Sequence, residues 1–244
     1  MPAWRTVLGS GDSMATVLIT GANRGLGLEF ARQYVADGWK VYAACRRPDA
    51  AAELRRLAEA SPASVTIVEM DVTSTSSVRA AAKALAGEPI DLLLNNAGVG
   101  SPRGQELGKL DYDAWARVLD ANTLGPMRVT EALLENVAKG RGKKIVTITS
   151  GMGSIADNSS GGSYAYRSSK AAVNMVVKSL SLDLAARGII CVVMNPGWVR
   201  TDMGGPRGTL APAESIQAMR GVIAALKPED SGKFFNYDGK TYPW

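Results

Sequence analysis

The chain has 244 residues, of which 46% are hydrophobic and 21% charged, and its formal net charge is +5. This length and composition suffice for one substantial hydrophobic core, which excludes a disordered or fibrous protein. The 28 Lys and Arg residues are spread along the sequence rather than gathered in one block, so we expect no nucleic-acid partner. The sequence has no apolar stretch of about 18 residues, so neither a membrane span nor a signal peptide is expected, and the predicted location is cytoplasmic.

Histidine is absent from the sequence, and this narrows the possible chemistry. Histidine is the commonest general base near neutral pH and the commonest transition-metal ligand in proteins. Ser-His-Asp hydrolysis and histidine-bound zinc are therefore excluded, no metal site is expected, and acid-base chemistry falls to Tyr, Lys, Asp, Glu or Cys. Cys45 and Cys191 lie at the edges of β-like runs, where we expect ordinary apolar residues of a protein kept in a reducing compartment.

Residues 1–14 show no sustained hydrophobic period and are expected to form a flexible N-terminal extension. From residue 15 onward, short runs rich in β-branched residues alternate with helical patterns. Strands are predicted at 15–20, 39–45, 65–70, 90–95, 143–150 and 189–195, and helices at 26–38, 50–60, 75–87, 111–138 and 164–187. Strands that are apolar on both faces and separated by amphipathic helices indicate a parallel sheet covered on both sides. Residues 15–244 are therefore predicted to form a single α/β domain.

The first predicted strand runs into the sequence TGANRGLG, which spans residues 20–27 and opens the first helix. Gly21, Gly25 and Gly27 allow the backbone to turn tightly and approach a phosphate, and free N–H groups at a helix N-terminus favour negative charge. A glycine-rich turn also occurs as a plain connection between a strand and a helix. Its place after the first strand of an alternating α/β pattern favours the pyrophosphate of a dinucleotide.

The end of the second predicted strand helps to distinguish an NAD site from an NADP site. An NAD site places Asp or Glu there, about 20 residues beyond the glycine turn, to bind the ribose 2′-hydroxyl. Here Cys45 is followed by Arg46 and Arg47, and a guanidinium can pair with a 2′-phosphate that a carboxylate would repel. Arg24, inside the glycine turn, offers a second positive charge. Arginines after a strand are often only solvated surface residues, but these positions favour NADP(H) over NAD(H).

Tyr166 and Lys170 are four residues apart in a predicted helix and therefore lie on the same face. A phenol with its ordinary pKa of about 10 is rarely ionised at neutral pH. An ammonium about 5 Å away contributes on the order of 3 kcal/mol at an effective dielectric constant near 20, which predicts a pKa lowered by roughly two units. Tyr166 could then donate a proton to a reduced carbonyl or accept one from an alcohol. The alternative is a tyrosine that packs beside a solvated lysine.

Seven motifs occur in an order that resembles the short-chain dehydrogenase/reductase family over nearly the whole chain. They are TGANRGLG at 20–27, Asp71-Val72, NNAG at 95–98, ANTLGP around Asn122, Ser150, YRSSK at 166–170 and NPGWVRT at 195–201. The stretch SGGSYAYR at 160–167 resembles the C-factor-like and carbonyl-reductase-like branch. The resemblance implies a single-domain Rossmann fold, a doubly wound parallel sheet of about seven strands in the order 3-2-1-4-5-6-7 with helices on both faces.

The resemblance also implies a role for each motif. Tyr166 is the expected general acid/base, Lys170 assists it, Ser150 orients the substrate oxygen, and Asn122 holds a proton-relay water against Lys170. The implied cofactor contacts are Gly21, Asn23, Arg24, Gly25, Leu26, Gly27, Arg46, Asp71, Val72, Asn95, Ala97, Gly98, Tyr166, Lys170, Pro196, Gly197, Val199 and Thr201. Some of these residue types also fit plain structural roles, since an Asp after a strand can cap a helix and Pro-Gly is a general turn signal.

The interval between Ser150 and Tyr166 departs from the family pattern. The family commonly places this serine about 13 residues before the tyrosine, whereas the interval here is 16. Counting back by the common interval gives Gly153, which has no hydroxyl, so Ser150 is the expected active-site serine and Ser154 a weaker candidate. The additional residues are expected to reshape the entrance to the substrate site.

A segment rich in Gly and Pro near 201–215 is expected to form a flexible cover over a compact substrate. The expected substrate contacts are Ser150, Met152, Tyr166, Trp198 and Met203, with Tyr164 beside them. Met and aromatic residues at such positions are more often packing than recognition. From the resemblance, the helices near 111–138 and 164–187 are expected to pair in a homodimer or homotetramer.

Three functions are compatible with these patterns. The first is an NADPH-dependent reductase that converts an aldehyde or ketone to an alcohol. The second is an NAD-dependent alcohol dehydrogenase, which Arg46 disfavours. The third is a dinucleotide-binding regulatory or signalling protein with little turnover, which the C-factor-like resemblance allows. Such a protein would have no need for Ser150, Tyr166 and Lys170 together.

Overall fold

The computed structural model describes residues 14–101 and 106–244, so all but the last residue of the predicted N-terminal extension lies outside it. The strands are β1 (Thr16–Thr20), β2 (Lys40–Cys45), β3 (Val65–Glu69), β4 (Leu92–Asn95), β5 (Lys144–Ile148), β6 (Ile190–Asn195) and β7 (Phe234–Asn236). They form one sheet in the order β3-β2-β1-β4-β5-β6-β7, and every neighbouring pair is parallel. The predicted sheet topology is confirmed.

In residues 14–101 and 106–244, seven α-helices cover the two faces of this sheet. They are α1 (Gly25–Ala36), α2 (Ala52–Ala60), α3 (Thr75–Ala84), α4 (Tyr112–Leu119), α5 (Gly125–Lys139), α6 (Tyr164–Asp183) and α7 (Pro212–Ala225). One buried cluster joins α1, α2 and α7 to the sheet and includes Phe30, Leu54 and Met219. A second cluster joins α3, α5 and α6 to the sheet and includes Leu133 and Val177. The strands β1, β2, β4, β5 and β6 are buried almost throughout, as the sequence pattern indicated, whereas Thr66 and Glu69 of β3 are exposed.

The structure differs from the predicted elements in three places. Asp120–Leu124 forms a π-helical turn between α4 and α5, so the predicted helix at 111–138 is continuous but locally widened. The predicted helix at 164–187 is shorter in the structure, because α6 ends at Asp183 and a separate 3₁₀ turn, Ala185–Arg187, follows it. The hydrophobic pattern predicted neither α7 nor β7, and residues 212–215 of the expected cover belong to α7.

The carboxyl ends of the strands define the position of the site. The strand order reverses beside β1, because β2 and β3 extend to one side of it and β4 to β7 extend to the other. Ligands of open α/β sheets bind in the crevice outside the carboxyl ends of the strands at such a point. Within the described ranges, no helix is long and apolar enough to cross a membrane.

Candidate active site

Apart from Tyr166 and Lys170 of α6, the predicted cofactor contacts lie at or just after strand ends on this edge of the sheet. Gly21 to Gly27 follow β1, Arg46 follows β2, Asp71 and Val72 follow β3, Asn95 to Gly98 lie at the end of β4, and Pro196 to Thr201 follow β6. The fold therefore brings together residues that are up to 180 positions apart in the sequence.

The glycine turn is held against the loop that follows β4. A β-carbon at Gly27 would overlap the carbonyl oxygen of Gly21 and lie 2.6 Å from Nδ2 of Asn96, so only glycine fits there. The Asn96 side chain donates to the carbonyl oxygen of Thr20 (2.9 Å), and the Thr20 hydroxyl accepts hydrogen bonds from the main-chain N–H groups of Asn96 and Ala97 (both 3.0 Å). Thr20 and Asn96 lie inside the TGANRGLG and NNAG motifs, but neither was predicted to have a role in the site.

The N-terminus of α1 suits an anionic group. Arg24, the residue that precedes this helix, has extended backbone angles and its side chain makes no capping hydrogen bond. The first turn of α1 has no acidic residue. Uncapped N–H groups at the N-terminus of a helix of 12 residues favour a phosphate. The closely packed glycine cradle and this helix end together fit a dinucleotide pyrophosphate.

Positive charge and a carboxylate face each other at the ends of β2 and β3. Burial raises the pKa of the Asp71 carboxyl, but hydrogen bonds from the Thr73 main chain and hydroxyl, together with the positive charge of Arg46, outweigh it and lower the pKa overall. Arg46 itself is exposed and therefore accessible to a ligand. Arg24, in contrast, forms an exposed ion pair with Asp202 (2.7 Å), which connects the glycine turn to the predicted substrate cover.

Asn122 lies in the π-helical turn and is almost fully buried. Its Oδ1 accepts a hydrogen bond from the Val99 N–H (2.8 Å), and its Nδ2 donates to the Val99 carbonyl (2.9 Å) and the Ser169 hydroxyl (3.0 Å). Single π-helical turns inside α-helices are frequent at functional sites. The hydrogen bonds of the Asn122 side chain thus join the loop after β4 to α6 and hold both next to Lys170.

Asn95 and its neighbour Gly98 have different positions relative to the site. The Asn95 side chain is buried and donates to the Thr130 hydroxyl of α5 (3.1 Å), so any contact with a cofactor must come from its main chain. Gly98 lies beside both Asn122 and Lys170, because a β-carbon placed on it would be 3.0 Å from Asn122 Oδ1 and 3.7 Å from Lys170 Nζ. This part of the NNAG motif therefore borders Asn122 and Lys170, two of the predicted catalytic residues.

Lys170 lies beneath the same loop with only 6% of its surface exposed. Its Nζ donates to the Ile148 carbonyl at the end of β5 (3.0 Å) and lies 5.7 Å from the centre of the Tyr166 ring. Burial lowers the pKa of the Lys170 ammonium to about 8. The ammonium is therefore mostly protonated at neutral pH, yet close to the point at which it can release a proton.

Tyr166 and Ser150 lie close enough on this edge for the Ser150 side chain to affect the pKa of the phenol. Burial raises the pKa of the Tyr166 phenol, and the hydrogen bond with the Ser150 side chain lowers it without reversing the rise. The prediction that Lys170 gives Tyr166 a lowered pKa is therefore wrong for the side chains of this chain alone. The physical reason is desolvation of the phenol, which raises its pKa more than the Ser150 side chain lowers it.

The structure separates the two candidate serines. Ser150 accepts a hydrogen bond from the Met152 N–H (3.2 Å) and reaches Tyr166, whereas Ser154 is buried, donates to the Trp244 carbonyl (3.2 Å) and accepts from the Asp157 N–H (3.0 Å). The hydroxyl of Ser154 is thus used within its own loop. Only Ser150 has a hydroxyl beside the phenol.

The segment after β6 forms the outer wall of the site. Trp198 Nε1 donates to the Gly204 carbonyl (2.8 Å), and the Gly204 N–H donates to the Thr201 hydroxyl (3.2 Å). A cavity of about 420 Å³ is lined by Arg200, Thr201, Asp202, Gly205 and Pro206. The side chains of Trp198 and Met203 are exposed, while those of Met152 and Tyr164 are partly buried. Residues 201–211, which precede α7, are called the substrate cover below.

Comparisons with known proteins agree with this geometry. Residues 15–209 match the family described as short chain dehydrogenase. The C-signal protein of Myxococcus xanthus is 48% identical over 167 residues, which are 68% of this chain and all of that protein. The 1-hydroxy-2-glutathionyl-2-methyl-3-butene dehydrogenase of Rhodococcus sp. (strain AD45) is 37% identical over 238 residues, which are 95% of this chain and all of that enzyme.

Solved structures give the same assignment. The carbonyl reductase Sniffer of D. melanogaster superposes with a TM-score of 0.89 at 32% identity, covering 95% of this chain and all of that one. An NADPH-bound carbonyl reductase from chicken fatty liver superposes with a TM-score of 0.88 at 36% identity, covering 95% of this chain and 99% of that one. The expected C-factor-like and carbonyl-reductase-like resemblance is confirmed, and the chain belongs to the short-chain dehydrogenases, a family of oxidoreductases.

Proposed function

We propose that this protein is an NADPH-dependent reductase that converts an aldehyde or ketone to an alcohol. The observation that supports it most directly is the burial of the Lys170 ammonium 5.7 Å from the centre of the Tyr166 ring, on the same sheet edge as Ser150. Ser150 and Tyr166 offer two hydroxyls to one carbonyl oxygen. NADPH supplies the hydride when bound, and Tyr166 donates its proton to the oxygen as the alcohol forms.

The raised pKa of Tyr166 favours this direction of reaction. A general acid must hold its proton at working pH, and a phenol with a raised pKa stays protonated at neutral pH. Lys170, with a pKa of about 8, is placed to return a proton to the phenol after each turnover. Asn122 keeps the helix around Lys170 in register through its hydrogen bonds to Val99 and Ser169. We assign to Asn122 the support of a proton-relay water beside Lys170.

The preference for NADP(H) over NAD(H) rests on Arg46. Its guanidinium lies close enough to Asp71 to lower the pKa of that carboxyl, which places it at the adenosine end of the proposed cofactor site. A carboxylate that would bind a ribose 2′-hydroxyl is missing at the end of β2. An NAD-dependent alcohol dehydrogenase is the less favoured alternative. Both cysteines are buried free thiols, which supports a reducing compartment such as the cytoplasm.

The substrate side is mostly apolar. Met203 is exposed in the substrate cover and Trp198 just before it, while Met152 and Tyr164 are partly buried at the two ends of the loop between β5 and α6. These side chains favour the apolar part of a small carbonyl compound, while Ser150 and Tyr166 bind its oxygen. A regulatory role with little turnover stays a second candidate, because the C-signal protein is 48% identical over 167 residues.

We also propose that the protein is a homodimer or homotetramer that pairs through α5 and α6. Met127 and Met175 are exposed on these helices, and a shallow cavity of about 310 Å³ is lined by Met127, Met175, Val176, Ser179, Leu180 and Asp183. Apolar side chains grouped on adjacent helices are typical of an interface between subunits. Met175→Lys should shift the protein to monomers in analytical ultracentrifugation, and an unchanged assembly would place the interface elsewhere.

The test of the proposed activity combines binding and turnover. Fluorescence titrations with NADPH and NADH give the two affinities, and absorbance of the reduced nicotinamide follows turnover on small aldehydes, ketones and diketones. Tyr166→Phe should reduce turnover by about a hundredfold or more while cofactor binding is retained. The control is Tyr42→Phe, which removes a phenol hydroxyl within β2 that donates to Glu88 (2.7 Å). Binding of NADPH without turnover on any carbonyl would favour the regulatory role.

A further inference from the structure

The loop between Ser150 and α6 is bonded to the residues Tyr242, Pro243 and Trp244, called here the Tyr-Pro-Trp segment. The Tyr242 hydroxyl donates to Oδ2 of Asp157 (2.7 Å). The Trp244 carbonyl accepts hydrogen bonds from the Ala156 N–H (2.9 Å) and from the Ser154 hydroxyl (3.2 Å). Three hydrogen bonds thus join two segments that are about 85 to 90 residues apart in the sequence.

The Tyr-Pro-Trp segment is itself fixed to the sheet. The ring of Phe234, a buried residue of β7, lies 5.0 Å from the Tyr242 ring and 5.5 Å from the Trp244 ring, measured between centroids. The Tyr242 N–H donates to the Phe234 carbonyl (2.7 Å), and Thr241 pairs with Phe235 as an isolated antiparallel bridge. The loop is therefore attached to the hydrophobic core through this segment.

The contact extends to the residue next to the proposed active-site serine. A β-carbon at Gly151 would lie 2.7 Å from the Tyr242 hydroxyl oxygen, so the phenol packs directly against the Ser150 turn. The Gly151 N–H also donates to Oδ1 of Asn195 at the end of β6 (3.0 Å). Beyond Ser154 the loop side chains are exposed, and Tyr164 begins the next helix. The far end of the loop is held separately by Arg167 of α6, which donates to the Gly161 carbonyl (3.2 Å) and the Ser160 hydroxyl (2.8 Å).

We propose that Tyr242 is a positioning residue for the substrate site. By holding Asp157 and packing against Gly151, it keeps the Ser150 hydroxyl opposite Tyr166 and fixes the wall to which Met152 belongs. This inference rests on the proposed reductase function, since it concerns the geometry with which Ser150 meets a carbonyl oxygen. The Tyr242 hydroxyl remains a donor over the working pH range, because its hydrogen bond to Asp157 raises the pKa of the phenol.

The experiment measures loop protection and catalysis on the same variants. Hydrogen exchange of residues 150–163 is compared in the wild type, Tyr242→Phe and the matched control Tyr42→Phe, which loses a hydrogen bond of the same length far from the site. Tyr242→Phe should exchange faster in this loop, and the control should not. In steady-state assays Tyr242→Phe should raise KM for the carbonyl substrate about fivefold, while the NADPH affinity stays within about twofold of the wild type.

A conservative pair of variants at Asp157 separates positioning from a general loss of stability. Asp157→Asn keeps an oxygen that can accept from Tyr242, so it should retain most of the protection and the KM of the wild type. Asp157→Ala should reproduce Tyr242→Phe. Equal behaviour of the two Asp157 variants would overturn the proposal.

The possible failures are distinguishable. Unchanged exchange of the loop in Tyr242→Phe overturns the positioning role, whether or not the protein turns over a carbonyl. Faster exchange with an unchanged KM also overturns it. A wild-type protein that binds NADPH but reduces no carbonyl contradicts the proposed function instead, and the loop exchange then decides whether Tyr242 holds the Ser150 turn.

Discussion

Replacement of Lys170 by methionine should abolish turnover and at the same time stabilise the folded protein. Methionine has a similar length and no charge, so it fills the same buried space without an ammonium. The wild-type Nζ has the Ile148 carbonyl as its partner at 3.0 Å and is otherwise surrounded by protein. A buried cation with so little compensation is destabilising, and it is retained where it serves a function.

The magnitude follows from the pKa of Lys170. Its fall from 10.5 to about 8 corresponds to about 3 kcal/mol of unfavourable free energy in the folded state at neutral pH. Methionine removes that cost. It also leaves the Ile148 carbonyl without its donor, which destabilises the folded protein by about 1–2 kcal/mol. We therefore expect a net gain of about 1–2 kcal/mol, which raises Tm by about 2–8 °C for a domain of this size.

The gain should depend on pH in a defined direction. Because the folded pKa of Lys170 lies below the unfolded value, the unfolded chain binds more protons between about pH 8 and 10.5, and the stability of the wild type rises with pH across this window. Lys170→Met lacks this rise. Its advantage in Tm should be largest below pH 8 and should shrink as the pH approaches 10.5.

Differential scanning calorimetry at pH 7 and pH 9.5 measures both effects. Lys178→Met, at an exposed position two turns further along α6, is the matched control and should leave Tm nearly unchanged. A Tm for Lys170→Met below that of the wild type at pH 7 would refute the reasoning. So would a difference in Tm that stays constant between the two pH values.

Three further predictions concern the cofactor and are measured by fluorescence titration. Arg46→Ala should weaken NADPH binding by about tenfold to a hundredfold and leave NADH nearly unaffected, because charge-assisted hydrogen bonds contribute about 1.5–3 kcal/mol. Arg47→Ala is the control. Equal weakening of NADPH and NADH binding would contradict the assignment of Arg46 to the 2′-phosphate. Asp202→Asn should tighten NADPH binding by about twofold to fivefold, because it frees Arg24 and removes a negative charge, and weaker binding would argue against a cofactor role for Arg24. Gly27→Ala should weaken both cofactors by more than about tenfold, because its β-carbon would overlap the turn; unchanged affinity would exclude a close backbone approach.

Most of the sheet could be predicted because five strands are buried almost throughout and contain apolar runs, while β3 is rich in β-branched residues. Strand β7 has only three residues, and no hydrophobic pattern distinguishes so short an edge strand. Helix α7 places Ile216, Met219 and Ile223 on one buried face, so its period was present in the sequence but was obscured by the preceding Gly- and Pro-rich segment. The π-helical turn has no signature of its own, because one wider turn leaves the local composition helical.

The candidate site could be predicted where neighbours in space are also neighbours in sequence. The spacing of Tyr166 and Lys170 places both side chains on one helix face, and the structure confirms this proximity. The pKa of Tyr166 could not be predicted in the same way, because it depends on how much of the phenol the fold buries. The pairing of Arg24 with Asp202 also escaped prediction, since these residues are 178 positions apart and meet only through the order of the strands.

The longer interval between Ser150 and Tyr166 illustrates why distance in space, rather than spacing in sequence, identifies the serine. Ser150 is placed by the end of β5 and by its neighbour's hydrogen bond to Asn195, while Tyr166 is placed by the packing of α6. Gly153 packs directly against α6, since a β-carbon on it would lie 2.8 Å from the Lys170 β-carbon. The additional residues must then lie in the exposed part of the loop. Because the end of β5 and the packing of α6 fix the two ends of the loop, a change in loop length alters the entrance to the site more than it alters the positions of Ser150 and Tyr166.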